Sequence, residues 1–444
     1  MNRHTNDRFS HAVFPPDLES AFTGRWKTAS HFRATIVNQY LLERGTSMPP
    51  RNSSRIRYIA LAGLALLAGC QSLGRPQANA VPALPTPAVS ALPTPVAMHE
   101  FTLTPGDDVV GSVQVVRARD EDTLSDIARR FNVGYEEIVS ANPGVDPWLP
   151  KVGAEVVIPT EFVLPDAKRQ GIVINLAAMR LFYFPKMKPG EPQTVITHPI
   201  GIGRVGWRTP EGSTKIVSKT AAPTWTPTPA IRKEHAADGD PLPKVVPPGP
   251  DNPMGTNALR LGWPEYAIHG TDKPPSIGLR GTHGCLRMYP EDIVGIYDAV
   301  PVGTPVTVVN QPFLVGWRGD TLVMQTYPVL EDDKRKHHPD QLIALVRKKP
   351  AQGRHGARAT VVVNEALVAE ITKKPRAVAV PISTAHLTLE QYLAAALRVE
   401  NRLPLNATWD GDTSRQLTAA DVMKQAEAPR YQSRLPGVRD GNGP

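Results

Sequence analysis

The sequence predicts a mainly β protein. A β-sandwich or barrel-like domain over residues 171–310 is preceded by a small βααβ module at 113–160 and followed by an α+β extension at 311–428. Two observations carry this. Seven short segments, rich in branched and aromatic residues and bounded by glycine and proline, follow one another between Ile172 and Val309, which is the pattern of a sandwich or barrel. Between 113 and 160 a strand-like stretch, two short helical patterns and a second strand-like stretch occur in that order. At 444 residues the chain has room for two or three domains.

In chain order, residues 1–47 are polar, mixed in charge and without a periodic apolar face. They read as a misassigned upstream extension, with Met48 as the start. Arg51, Arg55 and Arg57 then precede Ile59–Leu67, an apolar run of nine residues, and Leu67-Ala68-Gly69-Cys70 closes it. A basic head, a short apolar run and small residues at a cleavage point make an export signal over 48–70. The run is too short to cross a bilayer, which takes about 20 apolar residues. The Leu-Ala-Gly-Cys ending resembles a bacterial lipobox, which implies lipidation of Cys70, a periplasmic location and a lipid anchor in a membrane. Gln71 and Ser72 follow the cysteine, and the lack of Asp there implies the outer membrane. Residues 71–112 read as an extended linker, because Pro76, Pro82, Pro85, Pro87, Pro93 and Pro95 fall among alanines.

In the βααβ module, Val113–Val116 alternates like a strand. Thr123 and Asp126 suit a capping box, with Leu124, Ile127, Ala128 and Phe131 on one helix face. Tyr135–Ala141 reads as a second helix broken by Asn142-Pro143-Gly144, and Ala154–Ile158 as the closing strand. In the larger domain the predicted strands are Ile172–Asn175, Arg180–Phe184, Thr194–Thr197, Ser213–Ser218, Ala258–Leu261, Ala267–His269 and Pro305–Val309. One helix is predicted at Pro290–Asp298, with proline in its first turn and Glu291 and Asp292 against the dipole. A proline-rich stretch, Pro223–Pro253, interrupts the domain; a long loop of this kind is a lid, a binding loop or a cover over a sheet edge. Beyond 310, Phe313–Trp317 and Thr321–Thr326 read as a hairpin and Thr388–Asn401 as a helix with a Thr388/Gln391 capping box. Residues 429–444 have the composition of a disordered tail.

The chain has two cysteines. If Cys70 carries lipid, Cys285 has no partner, and a lone thiol in an exported protein flags reactivity. Cys285 lies in Gly281-Thr282-His283-Gly284-Cys285-Leu286-Arg287-Met288, and His269 stands 16 residues upstream in Ile268-His269-Gly270-Thr271. A thiol is largely protonated near neutral pH and needs a base to attack a carbonyl. Of twelve histidines only His269 and His283 neighbour Cys285 in sequence. If the 283–285 segment is extended, alternation puts His283 and Cys285 on one face. Gly284 permits close backbone approach, and N–H groups near Cys285 are candidates for an oxyanion hole. As zinc ligands, His269, His283 and Cys285 would be an unusual set, two at i, i+2 and one distant, with no fourth nearby; no metal or other cofactor is expected. The net charge of +8 is spread along the chain without basic runs interleaved with aromatics. Nucleic acid is therefore not an expected partner, and the positive balance fits ordinary solvated charge at least as well as a surface suited to an anionic envelope.

Gly201-Ile202-Gly203, Thr209-Pro210-Glu211-Gly212, Ile268-His269-Gly270-Thr271, Ser276-Ile277-Gly278 and Thr282-His283-Gly284-Cys285-Leu286-Arg287-Met288 together resemble the YkuD-type L,D-transpeptidase domain, in the branch of ErfK, YbiS, YcfS and YnhG. Thr282 stands where serine is frequent. Asp122-Thr123-Leu124, Ile127-Ala128, Ala141-Asn142-Pro143 and Val157-Ile158-Pro159 resemble a LysM module, which implies binding to N-acetylglucosamine-containing glycans such as peptidoglycan strands. The resemblance implies Cys285 as acylated nucleophile and His269 as general base, oriented by the Gly270 carbonyl. It gives His283 and Gly284 supporting roles, and Arg287 is a candidate for binding a substrate carboxylate or for a structural ion pair. It implies attack on a peptidoglycan stem tetrapeptide, release of D-Ala and transfer from a thioester, giving 3→3 cross-links or attachment of an envelope lipoprotein to the wall. Two alternatives stay open: an L,D-carboxypeptidase or endopeptidase with water as acceptor, and a non-catalytic LysM scaffold that binds the wall.

Overall fold

The computed structural model describes residues 99–337, 344 and 362–403. The chain divides into two units, 1–91 and 92–444, and every described residue belongs to the second. The expected extension at 1–47, the signal at 48–70 with Cys70, most of the linker and the tail at 429–444 lie outside the described residues.

The linker expected over 71–112 ends before 112. Strand β1 (Glu100–Thr102) and strand β2 (Val109–Gly111) already belong to sheets. The proline cluster stops at Pro95, and the apolar residues after it are core: Leu103, Val109 and Val110 are buried, with Phe101 packed beside Phe162. The small module then follows as β3 (Gln114–Arg117), α1 (Leu124–Arg130), α2 (Tyr135–Ala141) and β4 (Glu155–Ile158). β3 and β4 pair antiparallel from Gln114↔Ile158 to Arg117↔Glu155. The Thr123 hydroxyl accepts from Asp126 N while Asp126 accepts from Thr123 N, the reciprocal cap that starts α1. Leu124, Ile127, Phe131, Ile138, Val156 and Ile158 form its core, each fully buried.

The larger domain is built on one nine-stranded sheet. Its strands are β5 (Glu161–Val163), which pairs with β2 outside that sheet, then β6 (Gly171–Asn175), β7 (Arg180–Phe184), β8 (Thr194–Pro199), β9 (Ile202–Gly203) and β10 (Gly212–Ala221). Helix α3 (Pro229–Ala237) interrupts them within the proline-rich stretch. β11 (Asn257–Leu261), β12 (Ala267–His269), β13 (Arg280–Thr282), β14 (Leu286–Arg287), α4 (Pro290–Ala299) and β15 (Pro305–Val309) complete the domain. The sheet order is β1-β8-β7-β6-β15-β10-β11-β12-β14, with β9 and β13 paired apart from it. Ile172, Ile174, Leu259, Leu261, Ile268 and Leu286 lie on its inner face, and α4 packs there through Ile293 and Ile296.

The extension contributes β16 (Phe313–Arg318), β17 (Thr321–Thr326), α5 (Glu365–Lys373), β18 (Ala379–Pro381), α6 (Leu389–Ala394) and β19 (Leu397–Arg398). The helix expected over 388–401 starts on its Thr388/Gln391 capping box but stops at Ala394. The chain then returns as β19, parallel to β3 through Leu397↔Gln114 and Arg398↔Val115. Edge pairing wins over helical continuation because β3 would otherwise leave unpaired backbone groups, and Val399 is fully buried in the small module's core.

Polar contacts lock the small module onto the larger domain. Arg180, with no exposed surface, makes a two-pronged pair with Glu137 (3.0 and 2.7 Å), donates to the Asn132 carbonyl and lies 4.0 Å over the Phe162 ring. Arg129 makes a second two-pronged pair with Glu291, both contacts 2.9 Å. Asn132 donates to Asp292 at 2.7 Å, and His198 lies 3.2 Å from the same carboxylate with its ring stacked on His99.

Candidate active site

Side chains alternate along a strand, so a strand with one face in the core presents its other residues together on the opposite face. On β11 Leu259 and Leu261 enter the core, so Ala258 and Arg260 face away. On β12 Ile268 enters the core, so Ala267 and His269 face away; on β14 Leu286 does, so Cys285 and Arg287 face away. The pairings are Ala258↔His269, Arg260↔Ala267, Ile268↔Leu286 and His269↔Arg287. Two rows result across the sheet: Arg260, Ala267, Cys285, and beside it Ala258, His269, Arg287. Met254 covers this face with Ala258 and Ala267, and Trp225 and Cys285 pack against that cluster.

His269 is buried. Its Nδ1 donates to the Gly270 carbonyl at 2.7 Å, which leaves Nε2 with the lone pair. Burial, helped by the Arg287 charge, lowers its pKa to about 3. The ring is therefore unprotonated throughout the neutral range: its lone pair is available, although burial makes it a weaker base than an exposed histidine. Cys285 is half-buried, and its Sγ lies 3.4 Å from the Glu265 carbonyl. Burial pushes the thiol up; the Ala267 N–H, Arg260 and Arg287 pull the other way, and Glu265 adds to the rise. The resting sulfur is a protonated thiol one row from a neutral imidazole on the same sheet face, so activation needs proton transfer to the ring.

Gly284 turns the chain into Cys285 at φ +102°, and a Cβ there would stand 2.8 Å from the Tyr266 ring, so only glycine fits. Thr282 Oγ1 donates to the Cys285 carbonyl (2.6 Å) and accepts from Gly284 N (3.1 Å), and Thr209 Oγ1 donates to the Gly284 carbonyl (2.8 Å). With Gly284 N–H engaged, the Cys285 N–H is the nearest backbone candidate for an oxyanion.

The same turn corrects the expectation for His283. The 283–285 segment is bent, not extended, so alternation does not hold. His283 sits against the Trp207 ring (centroids 4.8 Å apart), Arg204 (3.2 Å) and Glu234 (3.4 Å). Glu234, from α3, also pairs with Arg204. His283 thus ties the proline-rich insertion to the Cys285 turn. Arg287 lies beside His269; its Nε is buried without a hydrogen-bond partner, and so is Asp272 Oδ1, whose carboxylate attracts it. That leaves Arg287 with a donor free for a carboxylate.

The sequence alone singles out neither Arg260 nor Trp207, and it marks Glu234 only as one of the polar residues of the proline-rich insertion. Arg260 had a signal, a lone charge at every-other-residue spacing in the apolar strand Ala258–Leu261. Trp207 has no such signal, and neither does the contact of Glu234 with His283, because His283 lies 76 and 49 residues away from them.

Residues 169–308 match the YkuD family, the L,D-transpeptidase catalytic domain, and residues 116–159 match the LysM domain. Curated relatives agree. The chain is 48% identical over 212 residues to the probable L,D-transpeptidase YbiS of Escherichia coli (strain K12), covering 47% of this chain and 68% of the relative. It is 45% identical over 210 residues to the probable L,D-transpeptidase ErfK/SrfK of the same strain, 47% of this chain and 66% of that one. It is 43% identical over 234 residues to the probable L,D-transpeptidase YcfS, 51% of this chain and 72% of that one.

Proposed function

This chain belongs to the L,D-transpeptidase family, and from that premise we propose that Cys285 and His269 transfer the acyl group of a peptidoglycan stem tetrapeptide. The observation that carries the reading is His269: buried, neutral, fixed through Nδ1 and one row from the thiol. As Cys285 Sγ attacks the carbonyl carbon of the third stem residue, His269 Nε2 takes the thiol proton. The carbonyl oxygen becomes an oxyanion facing the Cys285 N–H. Collapse breaks the C–N bond, the imidazolium returns the proton to the departing D-Ala amine, and a thioester remains. An acceptor amine then attacks the thioester, gives its proton to His269, and the sulfur leaves and recovers it. One amide replaces another, so no energy source is consumed. Electrostatic preorganisation of this kind and the positioning of a base are each worth several powers of ten in rate.

The LysM module, fixed to the larger domain by Arg180–Glu137 and Arg129–Glu291, holds the glycan while the stem peptide reaches Cys285. The acceptor is a second stem peptide, giving a 3→3 cross-link, or the amine of an envelope lipoprotein. Cys70 carries lipid and keeps the enzyme in the periplasm on the outer membrane. No described helix is long and apolar enough to cross a membrane.

Incubation of the full chain with disaccharide-tetrapeptide, followed by mass spectrometry, tests the reaction. Dimer with loss of D-Ala is the expected product, and Cys285→Ala yields none. Tripeptide alone would mean water is the acceptor; neither product, from folded and reduced protein, would leave the scaffold reading. Cys70→Ser should release the protein from the membrane fraction, and unchanged fractionation would reject the anchor.

A further inference from the structure

The site contains two arginines on the face of Cys285, and their environments differ. Arg287 is largely enclosed beside His269. Arg260 is exposed and stands in the same row as Cys285, with Ala267 between them. Two strand spacings separate their backbones, about 10 Å. Ala267 itself is buried in the cluster with Met254, so the Arg260 guanidinium stands at the exposed margin of the site, close enough for its charge to act on both Cys285 and His269. Among the described residues Arg260 makes no ion pair and no side-chain hydrogen bond. Glu265, at the turn joining β11 to β12, is the acidic group acting on the thiol, and it is not paired with Arg260.

We propose that Arg260 binds the terminal carboxylate of the residue that leaves the donor peptide, and so selects donors ending in a free acid one residue beyond the attacked carbonyl. The inference rests on the acyl-transfer reading above. The distance fits: one residue of extended chain spans roughly 3.5 Å, so the terminal carboxylate falls between the thiol and an arginine across one strand. Guanidinium matches carboxylate in a two-pronged hydrogen bond. Exposure fits as well. The leaving residue must depart before the acceptor enters, and an arginine open to solvent holds an anion less tightly than an enclosed one. Arg287 is then left for a carboxylate of the part of the donor that stays on the enzyme.

The test compares disaccharide-tetrapeptide with a free C-terminal acid against the same donor as its C-terminal carboxamide, using the full chain and following release of the last residue. The wild-type chain should prefer the acid by about ten- to a hundredfold in kcat/KM, the range of a hydrogen bond to a charged group. Arg260→Ala should bring that ratio close to one, chiefly by raising KM for the acid; Arg260→Lys should restore part of the preference. If Arg260→Ala slows both donors equally, or keeps the preference intact, the assignment is wrong. If the wild-type chain discriminates poorly yet turns both over, the assignment fails and the acyl-transfer reading stands. If it turns over neither, both fall.

Discussion

The chemistry at Cys285 depends on a thiol that burial keeps protonated and an imidazole that burial keeps neutral. This pairing has a pH signature. A base with an ordinary histidine pKa would lose more than about tenfold of its active form between pH 7 and 5. A reaction through preformed thiolate would lose about tenfold for each pH unit. With His269 lowered to about 3, and the proton moved during attack, acyl-enzyme formation should stay nearly flat from pH 7 to 5. Rapid-quench mass spectrometry of the acyl-enzyme would measure it, and a tenfold drop across that range would refute the assigned base. His269→Ala should approach the loss of Cys285→Ala, since members of such a pair act as a unit. His283→Ala should cost less, because its contacts are Trp207, Arg204 and Glu234; an equal or larger loss would reverse the assignment of the base.

At the scale of an element, α3 in the proline-rich insertion matters most. It is held at the Cys285 turn by Glu234, which meets Arg204 and His283, and all three are partly exposed. Exposed pairs contribute only about 0.2–1 kcal/mol. Glu234→Gln should therefore barely move the thermal midpoint, while increasing proteolytic cleavage within 223–253 and speeding alkylation of Cys285 by iodoacetamide. A lower midpoint without faster cleavage or alkylation would show that the pair serves general stability and not closure of the insertion.

Across the whole molecule, the small module, the larger domain and the extension share buried polar contacts. Arg180 and Glu137 are enclosed and satisfy one another, so removing one partner leaves a buried charge. Arg180→Met should cost about 3–5 kcal/mol, and the double change with Glu137→Leu should recover much of it. Denaturant titration of the single and double variants checks this; equal losses in both would mean packing dominates. The histidines set the acid limit. His99, buried against His198, is lowered to about 4, and His269 to about 3, against an ordinary value near 6.5 in the unfolded chain. The unfolded state takes up protons first, so stability falls as pH drops from about 6.5 toward 4, and it is fully present above that window. His99→Gln should flatten the fall, as measured by unfolding midpoints at pH 7 and pH 4.5; an unchanged slope would remove His99 from the account.

What the sequence determined by itself is local. The capping boxes at Thr123 and Thr388, the strand periodicities, the Gly-Cys turn and the family motifs are written in neighbouring residues, and so was the choice of Cys285 and His269. Tertiary structure decided what depends on distant partners. Residues 100–111 join sheets because Phe162 and Val195 offer them an apolar surface. Helix α6 stops at Ala394 because β3 has an open edge. His283 turns to Trp207 and Glu234 because Gly284 bends the chain. Arg260 joins the site only through the register of β11 on β12 and of β12 on β14. Local preferences are set by backbone sterics and caps within a few residues, whereas register, edge pairing and buried charge are settled when segments far apart in sequence exclude water together.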